Sequence, residues 1–104
     1  MSISPSEKIK VSIEGNIATI VIDNPGANTW DRESLPALRQ VIETLNGEPT
    51  VYALVLTGAG QKFFSAGADL NQFASGDADV ARAVGEAFGE AFETLADFRG
   101  VSIA

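Results

Sequence analysis

The sequence predicts an α/β fold in which a β-hairpin leads into a further strand and two helices. Three observations predict it. Ile9, Val11 and Ile13 alternate with Lys10, Ser12 and Glu14, the period of a strand with one wet face. Two stripes recur at helical spacing, one through Leu35, Leu38, Val41, Ile42 and Leu45, the other through Val80, Val84, Phe88, Ala91, Phe92 and Leu95. Between them, residues 52–57 (YALVLT) read as an apolar, centrally placed strand.

Gly15-Asn16 after the first strand suits a tight hairpin turn, because both residues tolerate positive φ. Residues 17–22 (IATIVI) form a β-rich run expected to be buried on both faces, and Asp23-Asn24-Pro25-Gly26 ends it. The first helix has two candidate caps, Asp31 and Thr29, and Pro36 inside its pattern predicts an irregular first turn or a late start. Asn46-Gly47 and Pro49 stop it. The second helix is expected over 77–98, capped by Ser75 or Asp77. Gly85 and Gly89 lie in its middle on one face, as a place for another segment to approach or as a tolerated weakness. Val101-Ser102-Ile103-Ala104 starts another strand.

The chain has 104 residues, the size of one small domain. Because it stops within an apolar strand, residues 1–104 are expected to be the amino-terminal part of a domain cut at its carboxyl end. A net charge of −7 and a pI near 4.3 argue against a nucleic-acid partner and an anionic membrane surface, but allow a phosphorylated ligand held locally by backbone N–H groups. There is no cysteine and no histidine, which removes disulfides, thiol chemistry, the usual zinc sites and a histidine-based triad; no metal is expected. Acid–base chemistry within these residues would fall to carboxylates, lysines or Tyr52. The absence of a signal pattern and of a long apolar run points to the cytoplasm.

Chemistry is concentrated in Phe63-Phe64-Ser65-Ala66-Gly67-Ala68-Asp69-Leu70, after the Gly58-Ala59-Gly60 turn. Small residues from Ser65 to Ala68 let a ligand approach the backbone, where an unpaired N–H can donate to a carbonyl oxygen gaining negative charge. A loop made small only for packing is the plain alternative. Leu56-Thr57-Gly58-Ala59-Gly60 suggests a dinucleotide-binding turn, but Gln61-Lys62-Phe63-Phe64-Ser65 stands where a helix would have to open.

The succession IVIDNPGANTWDRESL, ALVLTGAGQKFFSAGADL, a long helix and FRGVSIA resembles the enoyl-CoA hydratase/isomerase (crotonase) superfamily from about Ile9 to Ala104. The resemblance implies the first part of a crotonase-like spiral of ββα units, and an acyl-CoA thioester as ligand. It implies that the N–H of Ala68 is one of two oxyanion-hole donors, and that Ala66, Gly67, Ala68, Asp69 and Leu70 border the adenine end of CoA. Ala27 and Asn28 would pass near the pantetheine and phosphates. The second donor and the catalytic glutamates would follow the last strand, so these 104 residues alone are expected to be inactive. The implied reaction is hydration of a 2-enoyl-CoA to a 3-hydroxyacyl-CoA, in fatty-acid metabolism. The alternatives are isomerisation of an enoyl-CoA, another acyl-CoA reaction of the family, or a non-catalytic CoA-binding or interaction module. No cofactor is implied beyond the coenzyme A of the substrate, and a homotrimer or hexamer is the implied assembly.

Where many relatives carry a basic residue after the motif Leu, this sequence has Asn71, so a phosphate contact would fall to Lys62 or Arg32. Trp30 reads as packing a helix start onto the sheet, with a ligand channel as the alternative. Asp23 reads as a turn residue, Asp69 as a structural acceptor, and Glu86, Glu90 and Glu93 as a solvated face. The apolar stripe of the second helix and the 52–57 strand are expected to bury against segments beyond residue 104.

Overall fold

The structure is a computed structural model and describes residues 3–69 and 76–104. Strand β1 (Ile9–Glu14) turns through Gly15 and Asn16 into β2 (Ile17–Ile22). Only Gly15, at φ 63°, uses the positive-φ tolerance of that turn. The Asn16 side chain instead donates to Thr50 O at 2.6 Å, tying the turn to the start of the third strand. Helix α1 (Ser34–Asn46), β3 (Ala53–Gly58), α2 (Ala78–Ala96) and β4 (Val101–Ile103) follow. The sheet order is β1-β2-β3-β4, with β1 antiparallel to β2 and the other pairs parallel. Two strand–helix–strand crossovers therefore place α1 and α2 against the sheet.

The core lies between that sheet and the helices. Ile9, Ala18, Ile20, Ile22, Leu54 and Leu56 face Leu35, Leu38, Val41, Ile42, Leu45 and Ala91. The expectation that β2 is buried on both faces is corrected: Ala18, Ile20 and Ile22 are buried, whereas Thr19 and Val21 are half-buried and Ile17 is exposed. One helical layer covers one face, so burial follows the pleat. The stripe of α2 and the 52–57 segment are partly covered within these residues. Leu54, Leu56, Val84 and Ala91 are buried by this chain itself, and Phe88, Phe92 and Leu95 pack partly against the core. Apolar exposure remains at Tyr52, at the start of the 52–57 segment, and at Ile13, Ile17, Val101 and Ile103 among others. A Cβ built on Gly85 or Gly89 meets nothing within 4 Å, so no described segment uses the close approach those glycines permit.

The entry to α1 settles its cap. The Asp31 carboxylate accepts the N–H groups of Glu33 (3.0 Å) and Ser34 (2.8 Å), while Ser34 Oγ accepts the Asp31 N–H (2.9 Å). This reciprocal arrangement satisfies donors that the first turn leaves orphaned. Thr29 makes no such bond and instead receives the Asn24 side chain through its carbonyl. Pro36 follows the first helical bond, Leu35 N–H to Asp31 O (3.1 Å), so its missing N–H skips the next bond of the ladder, which resumes with Ala37 N–H to Glu33 O (3.4 Å); the first turn is irregular there. In α2 the Asp77 side chain accepts the Asp79 N–H at 2.8 Å. Ser75, the other candidate cap, lies outside the described residues, as does Asn71.

Asp31 also receives Lys8 Nζ at 2.6 Å, which fastens the amino-terminal segment to the start of α1. The bond to Asp31 raises the Lys8 pKa. Burial alone would raise the Asp31 pKa, but the bonds from Lys8, Ser34 and Glu33 outweigh it and hold the carboxyl below its ordinary value. A carboxyl lowered in the folded state stabilises above its unfolded value, and that contribution is lost as pH falls through the folded value. A raised lysine stabilises below its unfolded value and loses the contribution as pH rises through the folded one. Acidification below about pH 4, the ordinary Asp range, should therefore depress the melting temperature, and less so in Asp31→Asn, which lacks the titrating group. Parallel pH profiles for the two proteins would contradict this account.

Candidate active site

Two loops meet beyond the carboxyl ends of β2 and β3, where ligands of open α/β sheets bind. The first, residues 23–31, leaves β2; the second, residues 59–69, leaves β3. Ala66 N–H donates to Ala27 O (2.9 Å), Trp30 N–H to Gly67 O (2.7 Å) and Asp69 N–H to Trp30 O (2.9 Å). The last two bonds form a parallel bridge between Trp30 and Ala68. Both bonds of such a bridge belong to Trp30 and straddle Ala68, so the N–H and C=O of Ala68 point to the opposite side of the segment. Gly67, at φ 97°, sets up this geometry in a region that favours glycine, and Ser65 Oγ accepts its N–H at 3.1 Å.

Of the residues read from the sequence, Ala27, Asn28, Ala66, Gly67, Ala68 and Asp69 are thus brought together, and Leu70 lies outside the described residues. Asn28 is buried, and its side chain turns into the protein. Its Oδ1 accepts the Asn24 N–H (3.1 Å), and its Nδ2 donates to Ala59 O (3.0 Å) and Phe63 O (3.1 Å). A depression of about 290 Å³ opens between the two loops, lined by Asp23, Pro25, Gly26, Gly60 and Lys62 among others.

Trp30 is 4% exposed and meets Phe92 of α2 edge-on, with ring centroids 5.5 Å apart. It packs the loop onto α2 rather than lining a channel. Asp23 pairs with Lys10, which fits a structural role at the end of β2. Glu90 is exposed but pairs with Arg39 at 2.8 Å, linking the two helices. Lys62 is exposed and lies over the Phe63 ring, 5.5 Å from its centroid. Among the described residues no group of three His, Cys, Asp or Glu side chains converges as a metal site, and no helix is long and apolar enough to cross a membrane. No helix opens from the Gly58–Gly60 turn, which removes the dinucleotide-binding alternative.

Gly58 is a site residue that sequence reasoning missed. A Cβ there would lie 2.6 Å from Phe63 O and closer still to Phe64 O, so the second loop returns directly across the end of β3. The Thr-Gly strand end was the available signal, and it marks where β3 stops without showing what passes over it.

The enoyl-CoA hydratase/isomerase family profile matches residues 12–104. The chain belongs to the enoyl-CoA hydratase/isomerase family. It is 37% identical over 73 residues to the carnitinyl-CoA dehydratase of Salmonella arizonae, an alignment covering 70% of this chain and 28% of that protein. It is 60% identical in sequence to DspI of Pseudomonas aeruginosa, whose structure superimposes with a TM-score of 0.91 over 93% of this chain and 37% of that one. An enoyl-CoA hydratase/carnithine racemase from Magnetospirillum magneticum superimposes with a TM-score of 0.88 at 25% identity, over 96% of this chain and 39% of that one. The chain thus spans between a quarter and two-fifths of the length of these similar proteins. The mixed sheet with its two helices is the α/β architecture expected for the amino-terminal part of the family's fold.

Proposed function

We propose that these residues form the acyl-CoA-binding part of an enoyl-CoA hydratase, in which the Ala68 N–H donates to the thioester carbonyl. The observation that carries the reading is the Trp30–Ala68 bridge, which turns the Ala68 N–H away from Trp30 within a segment of small residues. Hydration adds the oxygen of water to Cβ of the 2-enoyl thioester, and electron density moves onto the carbonyl oxygen as an enolate. A backbone donor placed there stabilises that charge more than it stabilises the neutral substrate, which is the condition for catalysis. Protonation at Cα then regenerates the thioester. The proton-transferring carboxylates and the second donor are proposed to lie outside residues 1–104, and no cofactor beyond the CoA of the substrate is required. Asp31, the carboxylate buried beside the loops, is already committed to Lys8 and the α1 cap.

The names of the relatives support acyl-CoA thioesters as the substrate class. Whole-protein activity toward crotonyl-CoA tests the reading: loss of the conjugated thioester absorbance, with one water gained by the product, is expected. Conversion of a 3-enoyl-CoA to the 2-enoyl isomer without hydration would replace the hydratase by the isomerase. No turnover of either thioester would leave a CoA-binding module.

A further inference from the structure

We infer that Asn28 is the positioning residue for the Ala68 N–H: its side-chain amide clasps the two loops and thereby fixes where that donor points. The inference rests on the acyl-CoA reading above and deepens it. Asn28 is the only non-glycine among the described residues with positive φ, at 52°, a region where Asn is enriched because its short polar side chain bonds locally. That conformation is held by three bonds that use both amide hydrogens and the amide oxygen. One partner, Asn24, is on its own loop. The other two, Ala59 O and Phe63 O, flank the turn of the second loop, 31 and 35 residues further along the chain. The residues beside Asn28 make the remaining connections: Ala27 O receives Ala66 N–H, and Trp30 pairs around Ala68. The side-chain clasp and the backbone bridge are two ends of one fastening, and the chain between Phe63 and Ala68 has little freedom once both are closed.

The chemistry asks for an amide. Aspartate has the same shape and also tolerates positive φ, but it would set a carboxylate oxygen against two carbonyl oxygens that now accept hydrogens. With those bonds gone the second loop loses its anchor beside Phe63, and displacement of about 1 Å at a reacting centre is worth roughly 10²-fold in rate. Because Asn28 is 5% exposed and its amide is taken up by three bonds within the protein, its loss should act on turnover rather than on CoA affinity.

The test uses the whole protein and two probes. One is crotonyl-CoA turnover; the other is a cinnamoyl-CoA carrying a para-amino donor, whose absorption moves to the red when its thioester carbonyl is polarised. In Asn28→Asp, kcat should fall about 10–100-fold with KM within a few-fold of wild type, and the red shift of the bound probe should shrink. Thermal melts establish that the variant is folded at the assay temperature. Should Asn28→Asp fail to fold, Asn28→Gly carries the same expectation, since glycine accepts the positive φ without strain and lacks the amide. A folded variant with the full red shift and wild-type kcat overturns the inference. So does a raised KM with unchanged kcat, which would make Asn28 a ligand contact. Absence of any red shift in the wild type would instead remove the acyl-CoA reading, and the inference with it.

Discussion

Replacing Ala68 by proline in the whole protein should lower kcat by roughly 10²–10³-fold, the cost of one oxyanion donor. Proline has no N–H, so the substitution deletes the proposed donor while leaving the side chain small. Ala68→Gly keeps the N–H and removes one methyl group, and should stay within a small factor of wild type. Proline also restricts the residue before it, here Gly67 at φ 97°, so the comparison requires a melt and a CoA-ester affinity for each variant. Two folded variants of equal affinity that both turn over like the wild type would show that the loop is small for packing alone.

Gly58→Val should have the second largest effect. Its Cβ would enter the space held by the carbonyls of Phe63 and Phe64, which are backbone atoms and cannot swing aside. Relief requires lifting the second loop off β3, against the Asn28 bond to Phe63 O. Overpacking of this kind costs about 1–3 kcal/mol. The displaced loop should also reduce turnover by an order of magnitude or more, because Ala68 belongs to the same segment. The denaturation midpoint and kcat measure the two effects separately. A Gly58→Val protein with the wild-type midpoint would show that the second loop does not depend on its closeness to β3.

Much of the architecture was legible before the structure, for identifiable reasons. The hairpin follows from local alternation and one positive-φ glycine, and α1 and α2 follow from stripes with punctuation at Asp31, Gly47 and Asp77. The Ser65–Asp69 segment was legible because small residues after a glycine turn are chemically conspicuous. What escaped depends on distant partners. Asp31 looks like a local cap, and its bond to Lys8 spans 23 positions. Asn28 is read, through the family resemblance, as passing near CoA, and nothing near it in sequence reveals that its side chain holds Ala59 and Phe63. Gly58 reads as a strand end, since the carbonyls that exclude a side chain arrive from a loop five and six residues later. The double burial expected of β2 failed because an apolar run fixes what may be buried, whereas the covering layers decide which face is.

The central claim is that a backbone donor in this segment polarises a thioester carbonyl, and vibrational spectroscopy tests it most directly. Crotonyl-CoA labelled with ¹³C at the carbonyl should show its stretching band moved to lower frequency when bound to the whole protein, and moved less when bound to Ala68→Pro. A band at its solution position in the wild-type complex, or an equal displacement in both complexes, would contradict the account.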